Sequence, residues 1–341
     1  MSSILFSTGM QKTQIFQKSS ALSDRFGRRI DYLRISITDR CNLRCIYCMP
    51  PEGIELFEKN QILTFEEMER FSRIAVNLGV RKIKLTGGEP LVRKGIMRFI
   101  ASLKEIDGLD DLSLTTNGIF LEDLADDLKA SGLNRVNVSL DSLDNKRYGE
   151  MTRGGDLSRV LRGINKALEV GFIVKINTVV LDGLIEREIL KLIEFGKERN
   201  IEVRFIEFMP LCGNGWKRNY FIPLVDTKKK IGQRYKLTPL GNNGVADRYG
   251  IDGGGIIGFI TPVSEPFCSH CSRLRLIARG TLRPCLFSSL EINIFPLLRN
   301  QASHEEIEKF IQKAVYMKPE WNPVLRGVED PKKVFIRNIG G

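Results

Sequence analysis

The string Cys41-Asn42-Leu43-Arg44-Cys45-Ile46-Tyr47-Cys48 places three thiols within one short loop. A CxxxCxxC loop supplies three thiolates where a closed iron–sulfur or zinc site takes four, so one ligand position stays open. On an iron cube the open metal can accept a small molecule, which allows redox chemistry on a bound substrate as well as electron storage. An open-cornered set recurs late in the chain as Cys268 and Cys271 followed by Cys285. The chain must therefore fold so that two thiol trios face one another across a shared cavity. The seven cysteines divide as three, three and Cys212, which reads as a structural thiol and not as half of a disulfide.

No secretory h-region and no apolar run of membrane-spanning length is visible, which predicts no membrane partner and a reducing compartment. The cytoplasm is the expected location. The segment Met1–Arg29 is rich in Ser, Gln and Lys and has no acidic residue before Asp24, as in transit peptides, so the mitochondrial matrix is the alternative. Its few arginines argue against that, and residues 1–30 are read as a flexible tail. Lys and Arg number 52 against 41 acidic residues, a net charge of +11. The basic residues are scattered and not interleaved with aromatics, which argues against nucleic acid. A cavity for a multiply charged small anion fits the same excess.

Short β-rich segments alternate with longer amphipathic ones, the pattern of strand–helix units on a parallel sheet. Strands are expected at Tyr32–Thr38, Lys82–Thr86, Leu112–Thr116, Arg135–Leu140, Ile173–Val180 and Glu202–Phe208. Between the first two, Thr64–Leu78 reads as a helix, with Thr64 and Glu67 as a capping box and Gly79 at the exit; Gly132 and Gly171 repeat that exit. Six units predict an α/β fold, an incomplete (β/α)6 TIM-type barrel over residues 31–210 with a C-terminal extension over 211–341. Reactive groups in such folds gather at the carboxyl ends of the strands. Asp39 and Arg40, the run Thr86-Gly87-Gly88-Glu89-Pro90, Thr115 to Gly118, Ser139 with Asp141, and Glu207 to Pro210 all fall there.

After Pro210 the rhythm stops, and Leu211 to about Tyr249 reads as a mixed connection with a short helix near Asp226–Tyr235. Gly253-Gly254-Gly255-Ile256-Ile257-Gly258 has the GxGxxG spacing of a dinucleotide loop, but the next residues are strand-like and include Pro262 where that motif needs a helix. No GxxxxGK[ST] phosphate loop is present, so a bound nucleotide would be held by side chains.

The segment CNLRCIYC followed by LTGGEP resembles the radical S-adenosylmethionine superfamily. With LRISITDRCNLRCIYCMP, the strand end VRFIEFMP, the late CSHCSRLRL with Cys285 and the final Gly340-Gly341, the chain from Asp31 onward resembles the GTP 3′,8-cyclase family of molybdenum-cofactor biosynthesis. The resemblance implies two 4Fe–4S clusters, on Cys41, Cys45 and Cys48 and on Cys268, Cys271 and Cys285. S-adenosylmethionine would bind the first and be lined by Tyr47, Gly88, Asn117, Ser139 and Met209. The second would meet the guanine of GTP, with Arg34, Lys84, Thr115, Lys175, Arg204, Arg273 and Arg275 as substrate contacts. A 5′-deoxyadenosyl radical would take the C3′ hydrogen, and C3′ would then join C8. Catalytic parts are implied for the first three cysteines, Arg273, Arg275, Gly340 and Gly341, the diglycine entering the active site.

Arginine suits phosphate oxygens because its planar fork binds two at once; Lys84 stands where members of the family it resembles usually carry arginine, and it lacks that fork. Further implied are an external electron donor and, downstream, cyclic pyranopterin monophosphate synthase, with the chain a monomer or homodimer. A peptide-modifying radical enzyme with an auxiliary cluster would share the first motif. A zinc-stabilised nucleic-acid-binding protein would share the cysteines, although His270 between Cys268 and Cys271 is poorly placed to complete their tetrahedron.

Overall fold

A computed structural model describes residues 21–181, 186–211 and 220–327. Cys212, Gly340, Gly341 and most of the predicted tail lie outside the described residues. The first strand, β1 (Tyr32–Ser36), is followed by α1 (Phe65–Asn77), β2 (Lys82–Thr86), α2 (Ile96–Lys104), β3 (Asp111–Thr116), α3 (Leu121–Ala130) and β4 (Arg135–Ser139). Two helices, α4 (Asn145–Thr152) and α5 (Leu157–Glu169), precede β5 (Ile173–Val180); α6 (Glu186–Glu198) leads to β6 (Glu202–Glu207). All six predicted strands are present, and β1 to β6 lie side by side in sequence order, each parallel to the next.

The predicted capping box holds: Thr64 Oγ1 accepts the Glu67 N–H at 3.2 Å, and Glu67 Oε2 accepts the Thr64 N–H at 2.7 Å. Gly79 leaves α1 at φ 113°, a conformation that costs a side-chain-bearing residue dearly.

The connection after Pro210 holds more structure than its composition announces. A helix α7 (Leu224–Gly232) leads into a β-hairpin, β7 (Leu237–Asn243) and β8 (Ala246–Ile251), whose antiparallel pairing runs to Asn243↔Ala246. Gly244, at φ 68°, turns this hairpin. The triple-glycine segment turns into strand β9 (Ile256–Ile260), paired with β6, which agrees with rejecting it as a dinucleotide loop. Then come β10 (Arg273–Ile277), β11 (Thr281–Arg283), β12 (Ile292–Asn293), α8 (Phe295–Arg299) and α9 (His304–Tyr316).

These later strands extend the same sheet at both ends, in the order β12-β11-β10-β1-β2-β3-β4-β5-β6-β9-β8-β7. The result is a parallel-dominated α/β sheet that does not close on itself.

Parallel strands covered on both faces usually read as unbroken apolar runs. Here they alternate. Leu33 and Ile35, Ile83 and Leu85, Leu112 and Leu114, Val136 and Val138 are buried in the main core. The intervening positions are Arg34, Lys82 and Lys84, Thr115, and Arg135 with Asn137, all facing a cavity. Because side chains alternate with period two, one face packs helices and the other must enclose something polar. Among the described residues, no helix is long and apolar enough to cross a membrane.

Candidate active site between two cysteine trios

The polar sheet face and the loops at its carboxyl edge enclose a cavity of about 530 Å³. Cys41, Cys45 and Cys48 line it, and so do Cys268, Cys271 and Cys285. None of the six is paired in a disulfide. The structure thus brings together the two trios, and with them Tyr47, Gly88, Thr115, Asn117, Ser139, Met209, Arg34, Lys84, Arg204, Arg273 and Arg275.

Lys175 is the exception. It does not line the cavity; its ammonium sits 2.7 Å from Glu202, which also takes Arg204 Nε at 2.6 Å. His270 is exposed and away from the cavity lining, so it takes no part in the second trio.

The first trio is shaped by backbone. The Ile46 N–H donates to the Met151 carbonyl at 2.9 Å and the Arg44 N–H to that of Thr152 at 3.2 Å, docking the loop on the end of α4. Arg153 donates from Nη1 to the carbonyls of Arg44 and Met49. A Cβ on Gly88 would be driven into the Arg40 carbonyl, and one on Gly87, at φ 149°, would meet Thr38 O at 2.5 Å. These glycines clear space for the cysteine loop itself. The ligand approach expected of Gly88 is a separate matter.

Acids sit close by. Tyr47 donates its hydroxyl to Asp141 at 2.6 Å, and the Val179 N–H reaches the other oxygen at 2.8 Å. Burial outweighs these bonds and raises Asp141 to about 6. Glu89 is likewise raised to about 7 by burial, although it accepts from Thr116, Asn117 and Leu91. The Cys45 thiol is pushed well up by burial, then by the negative charge of Cys48 and Asp141.

The second trio has the opposite surroundings. Burial alone would raise Cys271, but Arg273 and Lys318 overcome it and bring the thiol down to about 5. Cys268 is raised by burial, against a hydrogen bond from the Asn322 N–H.

Across the sheet, Arg34 pairs in register with Lys84 on one side and Arg275 on the other. Adjacent strands lie about 4.8 Å apart, so three cations span about 10 Å. Like charges on neighbouring strands repel. Lys84 is held well below its ordinary value by burial and then by Arg34, Arg135 and Arg204. Several buried polar atoms facing this space lack a partner: Asn137 Oδ1, Asn177 Oδ1, Arg204 Nη2, Arg273 Nε and Arg275 Nε. Buried polar atoms are costly unless hydrogen-bonded, so the three guanidinium N–H groups are complementary to an anionic, oxygen-rich ligand, while the two amide oxygens call for a donor. Among the described residues no three His, Cys, Asp or Glu are disposed around a single metal ion. The donor set, three sulfurs in each trio opening on the cavity, fits a cluster with one vertex toward a ligand.

Sequence reasoning missed Arg135, Asn137, Asn177 and Asp111, which also line the cavity. Period two would have found the first two, which stand four and two residues before Ser139.

The fold and the CxxxCxxC loop are those of a radical S-adenosylmethionine protein: residues 35–196 match the Radical SAM superfamily and residues 201–323 match Molybdenum Cofactor Synthesis C. Streptococcus suis SuiB bound to S-adenosylmethionine has the same fold at TM-score 0.60, with 19% identity over 80% of this chain and 65% of that one. Native anSMEcpe with bound AdoMet aligns at TM-score 0.56, with 18% identity over 85% and 81% of the two chains.

More particularly, the chain belongs to the GTP 3′,8-cyclase family. It is 47% identical over 305 residues to the GTP 3′,8-cyclase of Thermodesulfovibrio yellowstonii, covering 88% of this chain and 95% of the relative. The Syntrophomonas wolfei GTP 3′,8-cyclase is 45% identical over 324 residues, 93% and 99% of the two chains. Molybdenum cofactor biosynthesis protein 1 of Drosophila melanogaster is 43% identical over 310 residues, 89% of this chain and 55% of that protein.

Proposed function

We propose that the chain converts GTP to (8S)-3′,8-cyclo-7,8-dihydroguanosine 5′-triphosphate, the first step of molybdopterin synthesis. The observation that carries this reading is one cavity bounded by two thiol trios with a row of buried cations between strands. Family membership brings a 4Fe–4S cluster and S-adenosylmethionine, and Cys41, Cys45 and Cys48 are the residues suited to that cluster. When bound, this pair supplies one-electron reductive cleavage of the sulfonium to a hydrogen-abstracting radical. Cys268, Cys271 and Cys285 hold a second 4Fe–4S cluster in this reading.

The chain's own residues do the positioning. Tyr47, fixed by Asp141, joins Gly88, Asn117, Ser139 and Met209 around S-adenosylmethionine. Arg34, Lys84, Arg204, Arg273 and Arg275 take the charge of GTP, with Thr115 as a polar contact. A polyanion there relieves the repulsion that holds Lys84 down and gives the orphaned guanidinium N–H groups acceptors. Lys175 acts through Glu202, which aligns Arg204. The six strand–helix units form an incomplete (β/α)6 barrel over residues 31–210, residues 211–341 supply the second trio, and residues 1–30 are a tail. Gly340 and Gly341, outside the described residues, reach the active site. An external donor reduces the protein, cyclic pyranopterin monophosphate synthase takes the product, and the reaction runs in the cytoplasm.

The test is an anaerobic assay with dithionite, S-adenosylmethionine and GTP. Expected are 5′-deoxyadenosine and matched loss of GTP; deoxyadenosine without GTP loss would refute the substrate. Deleting Gly340 and Gly341 is expected to stop cyclisation with both clusters retained.

A further inference from the structure

Lys318 lies just beyond α9, where the chain passes behind the second trio. Its side chain is buried, with the residue 3% exposed. The ammonium donates to the Arg273 carbonyl at 2.8 Å and to the Pro284 carbonyl at 2.5 Å. Pro284 adjoins Cys285, and Arg273 follows Cys271 by two residues. The same strap is fastened from the other side by Arg28, which donates to the carbonyls of Cys268, Pro319 and Glu320 at 2.7–3.0 Å.

Several buried cations have carboxylates: Arg28 has Asp24 at 2.5 Å, Lys175 and Arg204 share Glu202, and Arg283 has Glu291 at 3.1 Å. Lys84 and Arg275 are buried without one among the described residues but line the cavity, where the anionic ligand of the proposed reading answers them; Lys318 does not line it. Among the described residues no carboxylate pairs with Lys318. A buried ammonium without an opposite charge is strongly disfavoured, and carbonyl dipoles replace only part of its lost hydration. Its two acceptors belong to residues near Cys271 and Cys285, which sets the ammonium behind the trio whose thiolates would be the nearest answering charge.

We propose that Lys318 is the fixed counter-charge of the second cluster, a positioning residue that holds the thiolate trio and raises that cluster's reduction potential. The inference rests on the reading that Cys268, Cys271 and Cys285 carry a cluster. A reduced cluster bears one more negative charge than its oxidised form, and a positive charge fixed in a low-dielectric site favours the more negative state. If Lys318 only tied two carbonyls together, a neutral donor would serve equally well.

That difference is measurable. Cys45→Ala in the full-length chain, reconstituted anaerobically, isolates the second cluster for a redox titration followed by electron paramagnetic resonance. On that background Lys318→Gln keeps a donor and removes the charge; Lys318→Arg keeps both. The expected result is a midpoint shifted to more negative potential in Lys318→Gln and unchanged in Lys318→Arg. In the otherwise unsubstituted chain, the first cluster's midpoint is expected to stay put in both.

Loss of second-cluster iron in Lys318→Gln but not in Lys318→Arg would equally support a charge requirement. An unshifted Lys318→Gln, an equal shift in both variants, or failure of both to take up iron would overturn the inference. Absence of cluster iron from the Cys45→Ala chain with Lys318 intact would instead overturn the reading beneath it.

Discussion

The two cysteine trios present the same ligand to opposite surroundings. Cys41, Cys45 and Cys48 belong to one loop, shaped by the end of α4 and by the glycines after β2, with Asp141 nearby; burial and negative charge push the Cys45 thiol up. Cys268 and Cys271 precede β10, and Cys285 follows β11, so the antiparallel β10–β11 pair brings together residues separated in sequence. There Arg273 and Lys318 bring the Cys271 thiol down to about 5. In the proposed reading, a cluster held among anionic neighbours would be harder to reduce and, once reduced, the stronger reductant. A cluster held among cations would tolerate added negative charge, including that of an anionic substrate.

The largest effect that would break this contrast comes from the ligands. Cys45→Ala is expected to abolish 5′-deoxyadenosine formation altogether. Cys271→Ser is expected to leave reductive cleavage of S-adenosylmethionine measurable while cyclisation falls to background. Chromatography of deoxyadenosine and GTP distinguishes them, and equal loss of both products in Cys271→Ser would remove the division of labour.

Next in size is Gly88→Ala. Its methyl group would collide with the Arg40 carbonyl, and overpacking of this kind costs about 1–3 kcal/mol. A lower Tm and loss of first-cluster iron are expected, with second-cluster iron retained. Retention of both at full occupancy would show that the loop can move aside. Arg204→Ala tests the anion wall: one charge-assisted hydrogen bond is worth about 1.5–3 kcal/mol, so KM for GTP should rise about 10- to 100-fold. Deoxyadenosine formation in the absence of GTP should not change.

The first trio was legible because its ligands are neighbours in sequence and its spacing is chemistry. The parallel strands were legible because each ends in a turn signal and starts an apolar period; Gly79, Gly132 and Gly171 all take positive φ. The hairpin of β7 and β8 was hidden because Leu237–Asn243 is almost wholly exposed and carries no apolar alternation. Arg28 and Lys318 were invisible for another reason. Each is an ordinary basic residue beside nothing distinctive, and only the packing of the two ends of the described chain makes it a neighbour of Cys268 or Cys271. Lys175 shows the converse: its residue type and strand position pointed into the cavity, and the structure adds a partner that its sequence context did not announce, Glu202 on the next strand.

The smallest effect concerns that captured lysine. Burial, and then the charge of Arg204, lowers Lys175 from 10.5 to about 8, despite the opposing pull of Glu202. The native state therefore gives up this proton at lower pH than the unfolded chain. Between about 8 and 10.5 the unfolded state holds more protons, and stability must rise with pH across that window. Other lysines and tyrosines titrate there too, so the quantity to measure is the difference between the unsubstituted chain and Lys175→Met in urea unfolding at each pH. The difference is expected to grow in favour of the unsubstituted chain from pH 8 upward. A polyanion held by Arg204 would offset the repulsion on Lys175 and move its titration to higher pH, so GTP should flatten the slope. A slope indifferent to GTP would mean that Glu202 isolates Lys175 from the anion wall, leaving Arg204 as that pair's sole link to the substrate.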